Sequence, residues 1–145
     1  MGNKLIVDAS VVIASLLPDE PYRDAALSVL TQFSDTLELL TVPLLRYEVA
    51  NAVWKALKAG RVKLEDALEV LREFEALNIP EGEVSSVEAL KLAHTYNRSA
   101  YDSAYLALAQ AEQAPLITAD KRLYNALKDK FSQLLWVEDF QTRPH

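Results

Sequence analysis

Apolar residues along this chain follow two alternating patterns. Short unbroken apolar runs are separated by longer stretches in which apolar residues recur at helical spacing. The run Leu5-Ile6-Val7, ending at Asp8, reads as a strand over Leu5–Asp8 that is buried on both faces. A helix follows over Ala9–Leu17, stopped near Pro18. Pro21 opens a second helix that runs to about Phe33, with Ala25, Ala26, Val29 and Leu30 inward. Leu39–Val42 is a second strand, closed by Pro43. Leu44–Ala59 is the clearest helix, with Leu45, Val49, Ala52, Val53 and Ala56 on one stripe and Gly60 at its end. Leu64–Leu77 is another, its face made of Ala67, Leu68, Leu71, Phe74 and Leu77. A short third strand fits Ile79–Val84, weakened by Pro80 and Gly82. Ser86 can cap a helix to about Tyr96, and Ser99 another over Ala100–Glu112. Pro115–Thr118 is a fourth strand, Asp120 opens a helix to about Lys130, and Leu134–Val137 is a fifth strand. The tail after Phe140 is expected to fray.

Strands that alternate with helices predict an α/β fold, a parallel sheet with helices on both faces. In such a sheet the carboxyl ends of the strands and the starts of the following helices share one edge, where ligands bind. The length of 145 residues suits one domain spanning 1–145, and neither a repeat nor a linker interrupts it.

Composition narrows the chemistry. Cysteine is absent, which removes disulfides, thiolate nucleophiles and zinc–thiolate sites. The three glycines form neither a GxGxxG nor a Walker A loop. The only histidines are His94 and His145, so a Ser-His-Asp triad or a His-rich metal site would rest on His94 alone. Any metal would therefore take oxygen ligands, which favours Mg²⁺ or Mn²⁺. A net charge of −6 argues against broad binding to polyanions but leaves room for a local basic patch. The apolar stretch Val11–Leu17 is too short to span a bilayer and no basic leader precedes it, so a cytoplasmic protein without a membrane anchor is expected.

Four acids carry the candidate chemistry: Asp8 at the end of the first strand, Glu48 one turn into the helix after the second, Asp102 in the first turn after Ser99, and Asp120 after the fourth strand. Connectivity puts Asp8, Glu48 and Asp120 on the shared edge, whereas the position of Asp102 does not follow from it. Each also has a plain structural reading. Asp8 and Asp120 suit helix N-caps, Ser99-Ala100-Tyr101-Asp102 suits a capping box, and Glu48 suits a solvated helix position. Against these, Asp102 falls within a stripe with Tyr105, Leu106 and Ala109, where an acid needs a partner. If the four carboxylates met they would repel, and a divalent cation would relieve that. Such a site polarises a phosphoryl oxygen and activates water, the chemistry of phosphodiester hydrolysis.

Four segments together resemble the PIN-domain ribonucleases, and most closely the VapC-type toxins of toxin–antitoxin pairs: Leu5-Ile6-Val7-Asp8-Ala9-Ser10, Glu48-Val49-Ala50-Asn51-Ala52, Tyr101 to Ala109, and Leu116 to Leu123. The resemblance implies a three-layer α/β/α sandwich on a five-stranded parallel sheet. It also implies a Mg²⁺- or Mn²⁺-dependent endoribonuclease site of Asp8, Glu48, Asp102 and Asp120. Asp8 and Asp102 match the family's surest ligand positions, and Ser10, Asn51 and Thr118 match supporting polar positions. An RNA substrate, a cognate antitoxin that covers the groove, and homodimerisation are implied as well. Near these segments Arg46, Lys55, Arg98, Lys121 and Arg122 are candidate phosphate contacts, against the plain reading that most of them are solvated surface charges. The alternatives are a housekeeping PIN nuclease of RNA processing and a noncatalytic PIN-like RNA-binding protein. Asp19-Glu20 reads as an exposed turn, His94 as structural, and Trp54 and Trp136 as core or interface aromatics.

Overall fold

The structure is a computed structural model that describes residues 3–32 and 37–140. Its first strand, β1 (Lys4–Val7), holds Leu5, Ile6 and Val7 at 1% exposure or less. Successive strand residues face opposite sides, so burial of all three requires cover on both faces. The helices supply it. The chain continues through α1 (Ala9–Leu16), α2 (Arg23–Thr31), β2 (Glu38–Leu40), α3 (Leu45–Lys58), α4 (Leu64–Leu77), α5 (Ser86–Tyr96), α6 (Ala100–Glu112), β3 (Leu116–Thr118), α7 (Lys121–Leu127) and β4 (Leu134–Trp136). A single 3₁₀ turn, Val137–Asp139, follows.

The sheet is parallel throughout, in the order β2-β1-β3-β4. From β1 the chain crosses to β2 on one side, while β3 lies on the other and leads on to β4. The order therefore reverses between β1 and β3, and a crevice opens there at the strands' carboxyl ends.

The sheet has four strands rather than the five expected. Around Ile79–Val84 the chain makes only one parallel bridge, Thr41 with Glu81, closed by Thr41 N–H to Pro80 O at 3.0 Å and Gly82 N–H to Thr41 O at 2.8 Å. Pro80 has no N–H to extend this ladder. At Gly82 a Cβ would come within 2.8 Å of Leu108 Cδ1, so the segment lies against α6 where only glycine fits without a shift.

Most helices end within a residue or two of their expected limits. The cap of α5 is Ser85 rather than Ser86, its Oγ accepting from Val87 and Glu88 N–H. Helix α7 stops at Leu127, short of Lys130. Of the α4 face, only Ala67 is buried; Leu71, Phe74 and Leu77 are half-buried and Leu68 is 44% exposed. The reason is position: α4 packs on α3 and α1 outside the sheet, where Ala67 joins a small second core with Leu17, Val53 and Ala56. Phe33, the expected end of the second helix, and the tail after Phe140 lie outside the described residues. Among the described residues no helix is long and apolar enough to cross a membrane.

Candidate functional site

The crevice between β1 and β3 is bordered by acids from four parts of the chain. Asp8, Glu48, Asp102 and Asp120 line one cleft of about 310 Å³, with Ala9, Ser10, Ile13, Asn51, Ala52, Lys55, Tyr105 and Leu123. Asp8 and Asp120 arrive by the same local device. Each follows a strand in extended conformation and caps the next helix: Asp8 accepts from Val11 N–H, and Asp120 from Arg122 and Leu123 N–H. The capping and the cleft-lining readings of these residues thus hold together. A carboxylate at a helix N-terminus satisfies orphan N–H groups and faces the crevice from the strand end.

Asp8 is 5% exposed, and burial pushes its carboxyl up to about 6. Hydrogen bonds from Ser10, Thr118 and Val11 oppose that rise, and the charge of Asp120 adds to it. The Ser10 hydroxyl donates to Asp8 Oδ1 at 2.5 Å and accepts the Ala119 N–H at 2.8 Å. Thr118 Oγ1 lies 3.2 Å from Ser10 Oγ and accepts the Asp120 N–H at 3.0 Å. Ser10 and Thr118 thereby tie the two strand-end acids into one network. Asn51 lines the cleft on the exposed side of α3.

Glu48 is half-buried on α3, and burial raises its carboxyl above the ordinary range, with the charge of Asp102 adding to the effect. Tyr105 donates its hydroxyl to Glu48 Oε1 at 2.6 Å. Burial and that acceptor push the phenol far up, so it stays a donor. By sequence alone Tyr105 is only part of the apolar stripe around Asp102. Its hydroxyl was the available signal, because a tyrosine in such a stripe needs a polar partner. Asp102 sits half-buried at the start of α6, its backbone capped by Ser99 Oγ and its carboxylate held by Arg98 at 3.1 Å.

The expected phosphate contacts scatter. Lys55 lines the cleft. Arg98 grips Asp102, and Lys121 lies 4.5 Å from the Trp136 ring centroid. Arg122 is exposed. Arg46 turns to Glu81 at 2.6 Å, in a separate groove between α3 and α4. Of the other expectations, Asp19 pairs with Arg61 at 2.6 Å on an exposed turn, and His94 is exposed in the last turn of α5. Trp136 is buried in the core, where Tyr22 and Tyr124 pack on it, while Trp54 is 51% exposed.

The donor chemistry fits a hard divalent cation, since every candidate ligand is a carboxylate oxygen. The spacing is looser than the four-carboxylate cage expected. Among the described residues no three Asp, Glu, His or Cys side chains gather as a ready metal site. Asp102 is held by an ion pair with Arg98, and Glu48 by a hydrogen bond from Tyr105.

The strand order β2-β1-β3-β4 puts the acid-lined cleft at the switch point of an open parallel sheet, where α/β folds bind their ligands. Residues 5–128 match the PIN domain family model, and the chain belongs to that family. Within it the chain is of the VapC type. It is 36% identical over 124 residues to Ribonuclease VapC3 of Pyrobaculum aerophilum, covering 83% of this chain and 92% of that protein. It is 31% identical over 120 residues to VapC ribonuclease Mb0985 of Mycobacterium bovis, and equally to Ribonuclease VapC9 of Mycobacterium tuberculosis, covering 82% of this chain and 87% of each. The crystal structure of PAE2754 from Pyrobaculum aerophilum shares the fold with a TM-score of 0.70 at 24% identity, covering 93% of this chain and 90% of that one.

Proposed function

We propose that this protein is an endoribonuclease, the toxin of a type II toxin–antitoxin pair, formed as a single domain over 1–145 and acting on RNA in the cytoplasm. One observation carries the reading: Asp8, Glu48, Asp102 and Asp120, from four separate elements, border one cleft. The relatives named as VapC ribonucleases support the substrate class.

Asp8 and Asp102, with Glu48 and Asp120, would hold Mg²⁺ or Mn²⁺. When bound, such a cation supplies phosphoryl polarisation and a lowered pKa for water. The residues themselves perform the rest. Ser10 and Thr118 hold Asp8 rigid at the strand end. Tyr105 fixes Glu48, whose raised carboxyl suits it to take a proton from an attacking water. Lys55, which lines the cleft, would meet a phosphate of the RNA. Hydrolysis by this route leaves 5′-phosphate and 3′-hydroxyl ends. A cognate antitoxin would cover the cleft, an arginine from it pairing with the acids, and the chain would act as a homodimer.

The test is RNA cleavage by the purified chain, freed of any co-expressed small protein, with Mg²⁺ or Mn²⁺. Cleavage is expected, and Asp8→Asn is expected to abolish it. Cleavage that survives Asp8→Asn would refute the assignment of the site.

A further inference from the structure

Arg98 is pinned beside the cleft by its own backbone. Asn97 ends α5 in the left-handed conformation (φ 53°), and the Arg98 N–H donates to Ala93 O at 3.2 Å. Ser99 then caps α6. These two caps fix Arg98 one turn before Asp102. From there its Nε and Nη2 both reach Asp102 Oδ2, at 3.3 and 3.1 Å. The two side chains are only 25% and 32% exposed, so this pair is better shielded than the surface pairs of α4 and α5. Asp102 lines the cleft, and Arg98 holds its carboxylate without itself lining the cleft. Arginine does not deprotonate in proteins, so this compensation is permanent. Lys55, the cation inside the cleft, makes no ion pair among the described residues.

We propose that Arg98 is a built-in counter-cation that neutralises Asp102 and thereby lowers the affinity of the cleft for divalent ions. This rests on the reading of the cleft as a cation site. Arg98 is a positioning residue on this view: it acts through Asp102, limiting repulsion between Asp102 and Glu48 and setting the ion concentration at which the cleft fills. A phosphate contact would behave differently, because its loss raises KM for RNA and leaves ion affinity unchanged.

The test is calorimetric titration of the full chain with Mn²⁺ alone, without RNA. R98M is expected to bind about three- to tenfold tighter than wild type, the scale of removing one unit charge beside a solvent-accessible cleft. R98K keeps the charge and should stay within about twofold. D8N should bind more weakly. Should R98M fail to give a wild-type circular dichroism spectrum, R98Q takes its place with the same expectation. Wild-type binding that D8N weakens, with R98M or R98Q no tighter, overturns the role of Arg98 while the cation site stands. No Mn²⁺ binding by wild type, R98M or R98Q overturns both.

Discussion

The Tyr105 hydroxyl donates to Glu48 Oε1 at 2.6 Å and so joins α6 to α3 across the cleft. Tyr105 is 4% exposed, so removing its hydroxyl leaves a half-buried carboxylate without that donor. Tyr105→Phe should lower kcat for RNA cleavage by about 10- to 100-fold, the usual loss when a group orienting a ligand is removed. Stability should fall by about 1–2 kcal/mol in chemical denaturation. An unchanged kcat would mean that Glu48 needs no positioning.

Asp8 makes stability depend on pH. Its folded carboxyl lies near 6, against an ordinary value of 3.8. A raised acid means that the folded state binds more protons between those values, so stability falls as pH rises from about 4 to 6 and stays reduced above. The penalty at neutral pH is about 3 kcal/mol. Without divalent ions, Asp8→Asn should therefore be more stable than wild type at pH 7.5, and the gain should vanish near pH 4. Urea denaturation at both pH values measures it; a gain independent of pH would remove Asp8 as its source.

Asp120 separates cap from charge. Its Oδ1 accepts from Arg122 and Leu123 N–H at 3.0 and 3.2 Å. Asp120→Ala should cost about 1 kcal/mol of stability, while Asp120→Asn, which can still cap, should cost a few tenths. Both should depress RNA cleavage. Full activity in the Asn variant would show that Asp120 works only as a cap.

Gly82 supports the packing of the Ile79–Val84 segment against α6. A Cβ there would lie 2.8 Å from Leu108 Cδ1, and Leu108 is 2% exposed with little space to yield. Gly82→Ala should destabilise by about 1–3 kcal/mol, the range for overpacked cores. A melting temperature equal to wild type would show that Leu108 repacks without strain.

Local pattern made the secondary structure legible. Leu64–Leu77 and Ala100–Glu112 end where their periodicity and caps end, because helix limits are set by neighbouring residues. The third strand was less so: Pro80 and Gly82 signalled weakness, but their reduction to one bridge depends on how closely α6 approaches. Asp8 and Asp120 could be placed from sequence because a strand's carboxyl end and the following cap are consecutive in the chain.

The sequence by itself thus determined the alternation of strands and helices, the parallel sheet, and the edge on which Asp8, Glu48 and Asp120 stand. Tertiary structure alone decided that α6 docks with Asp102 in the same cleft, that Tyr105 meets Glu48 from 57 positions away, and that Arg46 turns from the acids to Glu81. It also decided that Asp102 pairs with Arg98 and Glu48 with Tyr105, with no closed cage of carboxylates among the described residues. The physical reason is range. Propensity, capping and periodicity act over a few residues, whereas hydrogen bonds between helices depend on how they pack, and packing is fixed by the whole core.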